Sequence, residues 1–497
     1  MTLAFPPLDA GFLAWFGLAP LFYVLPQALR PRHAFGLGYL FGYAHWGATV
    51  IWIGTTVSAW THSPIGWVAW FLLVAIKSGW FGLFGLFAWW VGKRAEGHAR
   101  VFGMAAAWTL VEWFRGQSSV AMPWSLVGYT QYRYLPLIQI ADLAGVYAVT
   151  LAIGLVNAGI AEMIRKRKSA AEQPDARPFK LSTHPLTIPL VFFVAIALYG
   201  FVALTRRYDG PKVTLALMQP NDRATREAQN PTEAQLWQEA FKTLIRFRAM
   251  TAKVTPHKPL LIVWPESEAP FSAITTPAIT KSFTELARQS GAYHFVGTSY
   301  QDEQKRSYNS AALFPPDGGP PVRYDKNWLV PMGEWVPMRR WIPFGDVFHF
   351  PDDVTPGAND QILNVGPIHM CPLICYESVF PIVARTRTAK GADLLVSITN
   401  DSWAGESSEL QQHIAMAVFR AVETRRDFAS SATTGITRLI APTGKLIAIA
   451  PYKEDALICE ATLREGLTPY VRWADWLIAV CAIGLVWTWR GKTSKPR

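Results

Sequence analysis

Three short segments carry side chains that together could perform nucleophilic acyl chemistry. The segment 370–379, MCPLICYESV, is an apolar run in which the last apolar residues are followed by Cys375. LLIVWPESEAP is a strand candidate that stops at Pro265 and presents Glu266, and RYDKNWLVPMGEWVP presents Lys326 in a loop with Pro and Gly. A thiol, a carboxylate and an ammonium can act as nucleophile, proton shuttle and oxyanion stabiliser. The sequence therefore predicts covalent catalysis through Cys375.

Each of these residues also has a plainer interpretation. A lone Cys is more often a buried structural thiol than a nucleophile. Glu266 could be an ordinary carboxylate at a strand end, with Glu268 as its competitor, and most lysines lie on the surface. The presence of all three motifs favours the catalytic interpretation. The apolar, Pro-rich surroundings of Lys326 favour it too, because an exposed loop would not need them.

Two further carboxylates and one backbone group are candidates for supporting roles. One of Glu334 and Glu377 could hold Lys326, and the other could help to set proton positions. A buried Lys–Glu pair that only positions its loop is an equally good interpretation. The backbone N–H of Tyr376, next to the nucleophile, is a candidate second donor to an oxyanion.

The motifs WPE, YDK and CYE, in that order, resemble the Glu–Lys–Cys triad of the nitrilase, or carbon–nitrogen hydrolase, superfamily. Longer segments resemble the apolipoprotein N-acyltransferases, the bacterial membrane enzymes that add the third acyl chain to lipoproteins. These segments are KNWLVPMGEWVP, ICYES, SITNDSW, TTGITRLIAPTGK and GLTPYVRWADW. The resemblance covers nearly the whole chain. It implies that Cys375 is the nucleophile, Glu266 the base and Lys326 the oxyanion stabiliser.

The composition favours a membrane protein with more than one domain. The chain has 497 residues, 22 of them Trp, and a mean hydropathy of +0.14. The net charge of +11 could indicate nucleic acid, but the basic residues cluster in short loops between apolar runs, so we expect no nucleic-acid partner. The four Cys do not form a disulfide framework, and Cys371 and Cys375 with His369 fit no common zinc spacing. We expect no metal and no cofactor.

Seven apolar runs are near the length of a membrane-spanning helix. They lie at about 11–27, 33–54, 65–91, 101–115, 139–163, 186–205 and 474–489. The loops after the first, third, fifth and seventh runs carry clusters of Lys and Arg, whereas loops 55–64 and 116–138 carry almost none. If all seven runs span, the basic loops are cytoplasmic and the region after residue 210 is outside. The resemblance implies an eighth span, before the first of these runs.

Two ionisable residues lie within the fourth run. Glu112 and Arg115 are three residues apart on one predicted helix. Ionisable residues at membrane depth indicate function, but a mutual pair near the interface is equally plausible. The following PWSLVGYTQ belongs to the resemblance and is expected to shape the entry of lipid.

From about residue 211 the pattern changes to alternating strands and helices, which predicts a layered α/β domain. LLIVW and LLVSITN are buried strand candidates, and Thr232 is predicted to cap a helix. QQHIAMAVFRAVETRR is predicted to be an amphipathic helix with Ile414, Val418 and Ala421 along one face. The helix after Thr232 is expected to carry Leu236, Phe241, Leu244 and Ile245 on one side. The resemblance implies a four-layered αββα sandwich. We therefore divide the chain into a multi-span membrane domain at 1–210, an extracytoplasmic catalytic domain at 211–472, and a transmembrane helix with a cytoplasmic tail at 473–497.

The resemblance implies a complete reaction. A phospholipid donates an acyl chain to Cys375, and the α-amino group of a diacylglyceryl-Cys apolipoprotein accepts it, in a ping-pong mechanism. The enzyme is expected to be a monomer in the bacterial inner membrane with its catalytic domain on the periplasmic side. A membrane-tethered nitrilase-type amidase, with water as acceptor, and a non-catalytic lipid-binding or transport protein are the alternatives.

Overall fold

The computed structural model describes residues 1–117, 120–172, 184–221, 232–337, 339, 353–358, 360–448 and 452–490. Helices are the regular elements that the described residues form before residue 210. They are α1 (Ala14–Gly17), α2 (Ala19–Val24), α3 (Pro31–Thr49), α4 (Trp52–Thr61), α5 (Ile65–Arg94), α6 (Gly97–Arg115), α7 (Leu135–Ile138), α8 (Ala141–Ala144), α9 (Val146–Ala171) and α10 (Thr187–Thr205). The predicted helical membrane domain is confirmed in outline.

Among the described residues, three helices have the length and the apolar composition to cross a membrane, namely α5, α9 and α10. The helices of the first predicted run are shorter than these three. The run is divided between α1, α2 and two 3-10 turns, with Pro20 and Pro26 in its second half. Helices α3 and α6 have 19 residues each, which is about 28 Å of helix, but they are less apolar. The count of seven spans stays a prediction.

Two six-stranded sheets form the second part of the chain. The first contains β1 (Lys212–Gln219), β2 (Leu261–Val263), β3 (Tyr293–Gln301), β4 (Ser307–Phe314), β5 (Val322–Asp325) and, later in the chain, β12 (Asp455–Thr462). The second contains β6 (Leu363–Val365), β7 (Ile368–Ile374), β8 (Leu394–Thr399), β9 (Asp427–Ala432), β10 (Arg438–Ile440) and β11 (Leu446–Ala448). The strand orders are β12-β1-β2-β3-β4-β5 and β11-β10-β9-β8-β7-β6. In each sheet the central strands, β1 to β3 and β7 to β9, are parallel.

Four helices cover the outer faces of the sheets, namely α11 (Glu233–Val254), α12 (Pro277–Ser290), α13 (Pro381–Ala389) and α14 (Glu409–Thr424). Two more helices follow in the chain, α15 (Pro469–Trp473) and α16 (Trp476–Arg490), and α16 packs against α5, α6 and α9. One apolar cluster lies between the sheets, and a second packs the first sheet against α11 and α12. A third packs the second sheet against α13 and α14. The predicted αββα sandwich is therefore confirmed.

The third apolar cluster extends beyond the second sheet and its helices. It runs without a break from Leu395 and Phe428 of the second sheet, through α14, into α6 and α9. All residues of α14 are buried except Gln411, which is half-buried. The predicted single apolar face, with Ile414, Val418 and Ala421, is therefore only half of what α14 buries, because the membrane helices cover its other side.

Helix α11 begins as predicted. Thr232 caps it with a reciprocal capping box to Gln235. The residues that α11 buries are Ala240, Phe247, Met250, Thr251 and Val254. Of the four apolar residues expected on one side, Leu244 packs against the core, and Leu236, Phe241 and Ile245 are exposed. The helix presents two apolar sides, and the first sheet covers only one.

The two ends of α6 are anchored differently. At its beginning, Glu162 of α9 accepts hydrogen bonds from Gly97 and Arg100 and also pairs with Arg165. Two of the loops predicted to be cytoplasmic therefore lie side by side. The more distal basic residues of these clusters, at 177, 180, 492, 495 and 497, lie outside the described residues.

At the other end of α6, both ionisable residues hold the loop that follows. Glu112 accepts the backbone N–H of Val127 at 2.9 Å and the Thr150 hydroxyl at 3.0 Å. Arg115 donates to the Trp124 carbonyl oxygen at 2.8 Å. The two side chains therefore bind the segment PWSLVGYTQ rather than one another through hydrogen bonds.

Candidate active site

Glu266 lies just beyond β2, where the first sheet meets the second. Its side chain is buried, and Oε1 accepts a hydrogen bond of 2.7 Å from the amide of Asn309. Oε2 accepts the backbone N–H of Asn400 at 3.0 Å, from the end of β8. Groups from both sheets therefore fix the carboxylate in one orientation.

Lys326 follows β5 directly and is buried with two carboxylates. Its Nζ lies 3.3 Å from Oε1 of Glu266 and 2.9 Å from Oε1 of Glu334. Burial alone would lower the pKa of Lys326, but Glu266 and Glu334 outweigh it and raise the pKa above its ordinary value. The side chain is therefore a fixed cation.

Cys375 opens a 3-10 turn, Cys375–Val379, at the end of β7. Its φ of 48° lies in the left-handed region, which a residue with a side chain adopts at a cost. Burial raises the pKa of the Cys375 thiol well above its ordinary value, Glu266 raises it further, and Lys326 opposes them. At rest the thiol is therefore neutral and needs a base beside it when it attacks.

Glu334 and Asn309 complete the group around the lysine. Asn309 donates from one Nδ2 to Glu266 at 2.7 Å and to Glu334 at 2.6 Å. Glu334 also accepts the backbone N–H of Val330 at 2.7 Å. The sequence analysis missed Asn309, which stands near the start of β4 in a segment with no catalytic motif.

Glu377 is fully buried, and its oxygens are occupied by structural hydrogen bonds. It accepts the Tyr324 hydroxyl at 2.7 Å and the backbone N–H groups of Asn327 and Ile374, each at 2.8 Å. Nη2 of Arg387 lies 3.6 Å from Oε1 of Glu377. These contacts favour the positional interpretation of Glu377, since they join the Lys326 loop to the strand that carries Cys375.

Tyr376 points its side chain away from the triad. Its hydroxyl donates to the Ala121 carbonyl oxygen at 2.7 Å, and its ring stacks on Trp124 at 6.0 Å between centroids. The side chain therefore binds the loop that follows α6. The backbone N–H remains available as an oxyanion donor, because the first N–H groups of a helical turn have no acceptor within the turn.

The structure thus brings Glu266, Lys326, Glu334 and Cys375 together. A neutral thiol stands beside a carboxylate that can take its proton and a cation that can stabilise an oxyanion. This arrangement can transfer an acyl group through a thioester.

A second buried cluster lies behind Cys375. Asp401, Glu409 and His413 place ligand atoms within 4.8 Å of one another, a donor set that could hold a metal ion. The buried Arg438 acts electrostatically on all three, and a fixed cation opposes the binding of another. The expectation of no metal stays a prediction.

Comparisons with known proteins identify relatives of both parts. Residues 1–159 match the family model for the apolipoprotein N-acyltransferase N-terminal domain, and residues 214–470 match the model for carbon-nitrogen hydrolase. An apolipoprotein N-acyltransferase of Geobacter metallireducens is 33% identical over 97% of this chain and 91% of its own. Another, of Methylococcus capsulatus, is 31% identical over 97% of this chain and 92% of its own.

Among solved structures, a carbon-nitrogen hydrolase from Helicobacter pylori is 17% identical, with a TM-score of 0.37. The alignment covers 54% of this chain and 95% of that chain.

Proposed function

The chain belongs to the apolipoprotein N-acyltransferase family, and on that premise we propose that it moves an acyl chain from a phospholipid to the N-terminal α-amino group of a diacylglyceryl-Cys apolipoprotein. The observation that carries the proposal is the joint position of Glu266, Lys326 and Cys375. Glu266 and Lys326 both act on the pKa of the Cys375 thiol, and Lys326 is held between two carboxylates.

In the first half-reaction the Cys375 sulfur attacks the ester carbonyl of the phospholipid while Glu266 takes the thiol proton. Lys326, with the backbone N–H of Tyr376, stabilises the tetrahedral oxyanion. The ester C–O bond breaks, and the proton on Glu266 passes to the departing oxygen of the lysophospholipid. The acyl group remains as a thioester on Cys375.

In the second half-reaction the lipoprotein amine attacks the thioester carbonyl. Glu266 accepts a proton from the nitrogen, the same donors stabilise the second oxyanion, and the C–S bond breaks. The proton returns to sulfur, which restores the neutral thiol that burial favours. The product is an amide, and no metal or cofactor takes part in these steps.

The distribution of charge along α6 supports a periplasmic location for this chemistry in the bacterial inner membrane. Its first turn lies with Arg100 and Arg165 around Glu162, and its last turn, at Arg115, holds the loop that stacks on Tyr376. Basic loops stay in the cytoplasm. The catalytic domain, at the opposite end of the helix, is therefore outside. All groups of the proposed mechanism come from one chain, so we expect a monomer to suffice.

The test separates the two half-reactions. Protein purified in detergent is incubated with phosphatidylethanolamine alone, and its intact mass is measured; we expect one added acyl chain on Cys375. Addition of a short peptide with an N-terminal diacylglyceryl-Cys should then remove the adduct and give the amide. Release of free fatty acid with no amide would identify an amidase instead, and no adduct and no product would indicate a lipid-binding protein.

A further inference from the structure

A chain of two hydrogen bonds leads from a buried histidine to the backbone of the nucleophile. Oγ of Ser378 lies 2.7 Å from the Cys375 carbonyl oxygen and 2.6 Å from Nε2 of His413. Ser378 is 1% exposed and His413 is 2% exposed. The bond between Ser378 and His413 is therefore formed out of contact with water, where hydrogen bonds are strongest and their partners hardest to replace.

The donor and the acceptor of each of these two hydrogen bonds follow from which atoms can only accept. A carbonyl oxygen can only accept, so the single Ser378 proton points to Cys375, and the Ser378 oxygen must accept from Nε2–H of His413. Burial lowers the pKa of His413 to about 3, assisted by Arg438 and Lys326, so the ring is neutral and carries one proton. That proton is on Nε2. Nδ1 has no hydrogen-bond partner among the described residues, with Glu409 Oε1 at 3.8 Å and Asp401 Oδ1 at 3.9 Å.

The carbonyl group that Ser378 binds belongs to the same peptide unit as the N–H of Tyr376. A peptide unit is planar, and in the trans form its C=O and N–H point in opposite directions. A bond that fixes the Cys375 oxygen therefore also fixes the direction of the Tyr376 N–H. Each hydrogen bond in such a chain also polarises the next, so donation to the carbonyl makes the N–H a better donor.

From this geometry we infer that His413 and Ser378 are positioning residues that aim the Tyr376 N–H at the oxyanion of the acyl-transfer reaction. The inference rests on the proposed function, because it assigns to that N–H the second oxyanion contact beside Lys326. It adds two side chains that touch neither lipid nor peptide. Their effect reaches the reacting atoms through one peptide plane.

The surroundings of His413 are suited to a fixed ring. The ring lies beside Trp124, tilted by 42° with 6.4 Å between centroids, and Trp124 in turn stacks on Tyr376. Asp401 and Glu409 lie 3.9 Å and 3.8 Å from Nδ1, and Arg438 acts on the ring electrostatically. Burial raises the pKa of both Asp401 and Glu409. The ring is therefore surrounded by buried neighbours as well as bonded to Ser378.

A plainer interpretation is that Ser378 and His413 only join the 3-10 turn to α14. The two interpretations differ in which reactions of Cys375 need the pair. Attack on an ester forms an oxyanion, whereas alkylation by iodoacetamide displaces iodide and forms none. A loss confined to the ester reaction identifies oxyanion positioning, and an equal loss in both identifies a general structural role.

The experiment measures both reactions on the full chain in detergent. Acylation of Cys375 is followed with p-nitrophenyl butyrate through release of nitrophenolate, and alkylation with iodoacetamide through intact mass. The variants are His413→Leu, which removes the donor, His413→Gln, which retains an N–H donor without a titratable ring, and Ser378→Ala. The matched control is Ser430→Ala, since the Ser430 hydroxyl is equally buried and has no hydrogen-bond partner in the part of the chain that the structure describes.

We expect His413→Leu and Ser378→Ala to lower the acylation rate by about tenfold to a hundredfold, since loss of a whole oxyanion donor typically costs about a hundredfold or more. The alkylation rate should stay within a small factor of that of the unchanged protein. His413→Gln should restore most of the acylation rate, and Ser430→Ala should change neither. Equal losses in both reactions, or no rescue by His413→Gln, would overturn the inference. Because the nitrophenyl ester replaces phospholipid, these results stand even if the lipid donor is wrong, which the mass measurement with phosphatidylethanolamine tests separately.

Discussion

The Lys326 ammonium donates to Oε1 of Glu334 over 2.9 Å, and the two residues lie only eight positions apart on one segment. Glu334 is bonded in turn to the backbone N–H of Val330. This local bond holds the cation without using Glu266, which lies farther from it at 3.3 Å. Glu266 can therefore give and take a proton while Lys326 keeps a charged partner.

We predict that Glu334→Gln lowers the rate of acyl-adduct formation without unfolding the protein. The amide keeps the size and an oxygen for Lys326 but removes the charge, so Lys326 is drawn towards Glu266 and the base is weakened. The measurement is the rate of adduct formation with phosphatidylethanolamine, with the thermal melting curve in parallel. An unchanged rate would show that Glu334 serves only the loop.

Replacement of the nucleophile should abolish the adduct. Cys375→Ala leaves no sulfur at the site, whereas Cys371→Ala, Cys459→Ala and Cys481→Ala should keep most of the activity. Cys371 is a suitable comparison, because it lies on β7, which ends just before Cys375, and burial raises its pKa to about 12. The readout is the intact mass after incubation with phospholipid. An acyl adduct on Cys375→Ala would exclude the mechanism.

Removal of the base and of the cation should stop the first half-reaction. Glu266→Gln cannot accept the thiol proton, and Lys326→Met cannot stabilise the oxyanion, so neither variant should form the acyl adduct. Each change preserves most of the side-chain volume, and a membrane-inserted protein with a normal elution profile is the control. A normal adduct on Glu266→Gln would point to another carboxylate, with Glu268 the first to examine.

The same two variants should shift the pH dependence of Cys375 alkylation in opposite directions. The thiol pKa is raised in the folded protein, so the alkylation rate should still increase with pH above about 8.5, the pKa of a free cysteine. Glu266 raises that pKa and Lys326 lowers it. Glu266→Gln should therefore move the profile to lower pH and Lys326→Met to higher pH. Shifts in the same direction would contradict the assigned charges.

Substitution of Glu377 should lower the melting temperature of the protein more than it lowers the rate of acyl-adduct formation. Glu377→Gln weakens its bonds to Tyr324 and to two backbone N–H groups, and it removes one of the carboxylates near the buried Arg387. Loss of one partner of a buried pair costs about 3 kcal/mol, so the melting temperature should fall by several degrees. A variant with normal melting but no adduct would instead give Glu377 a direct role.

Reporter fusions test the orientation. A reporter after Lys168 should give a cytoplasmic signal, and one inserted in the turn between β3 and β4, at residue 304, should give a periplasmic signal, because basic loops remain inside. Both positions lie in exposed polar segments, so insertion should be tolerated. A cytoplasmic signal from residue 304 would overturn the lipoprotein role.

The triad could be predicted from the sequence because each member stands at the end of a strand or beside a turn, in a short motif with a fixed order. Glu266 follows β2, Lys326 follows β5 and Cys375 follows β7. Local sequence patterns also predicted the strands and the helix cap at Thr232. These features depend on neighbours in the chain, which a sequence shows directly.

Features that depend on distant neighbours could not be predicted. Asn309 and His413 reach the site only when β4 and α14 have packed, and neither stands in a motif that points to acyl chemistry. The side of α11 that packs on the sheet could not be predicted either, because Leu236, Phe241 and Ile245 compete with another apolar set that includes Phe247, Met250 and Val254. When a helix has two apolar sides, its sequence does not show which side the sheet will cover.

The burial of α14 between the second sheet and the membrane helices bears on how the protein is made. Both sides of this helix need a surface to pack on, and one of those surfaces is built from α8 and the 3-10 turn Val127–Gln131, which the ribosome completes more than two hundred residues earlier. Insertion of the first helices into the membrane therefore prepares a docking platform on which the catalytic layers assemble. Cut at residue 210, the later part would expose that side of α14 to water. The domain boundary near residue 210 is therefore not a boundary between two parts that fold independently.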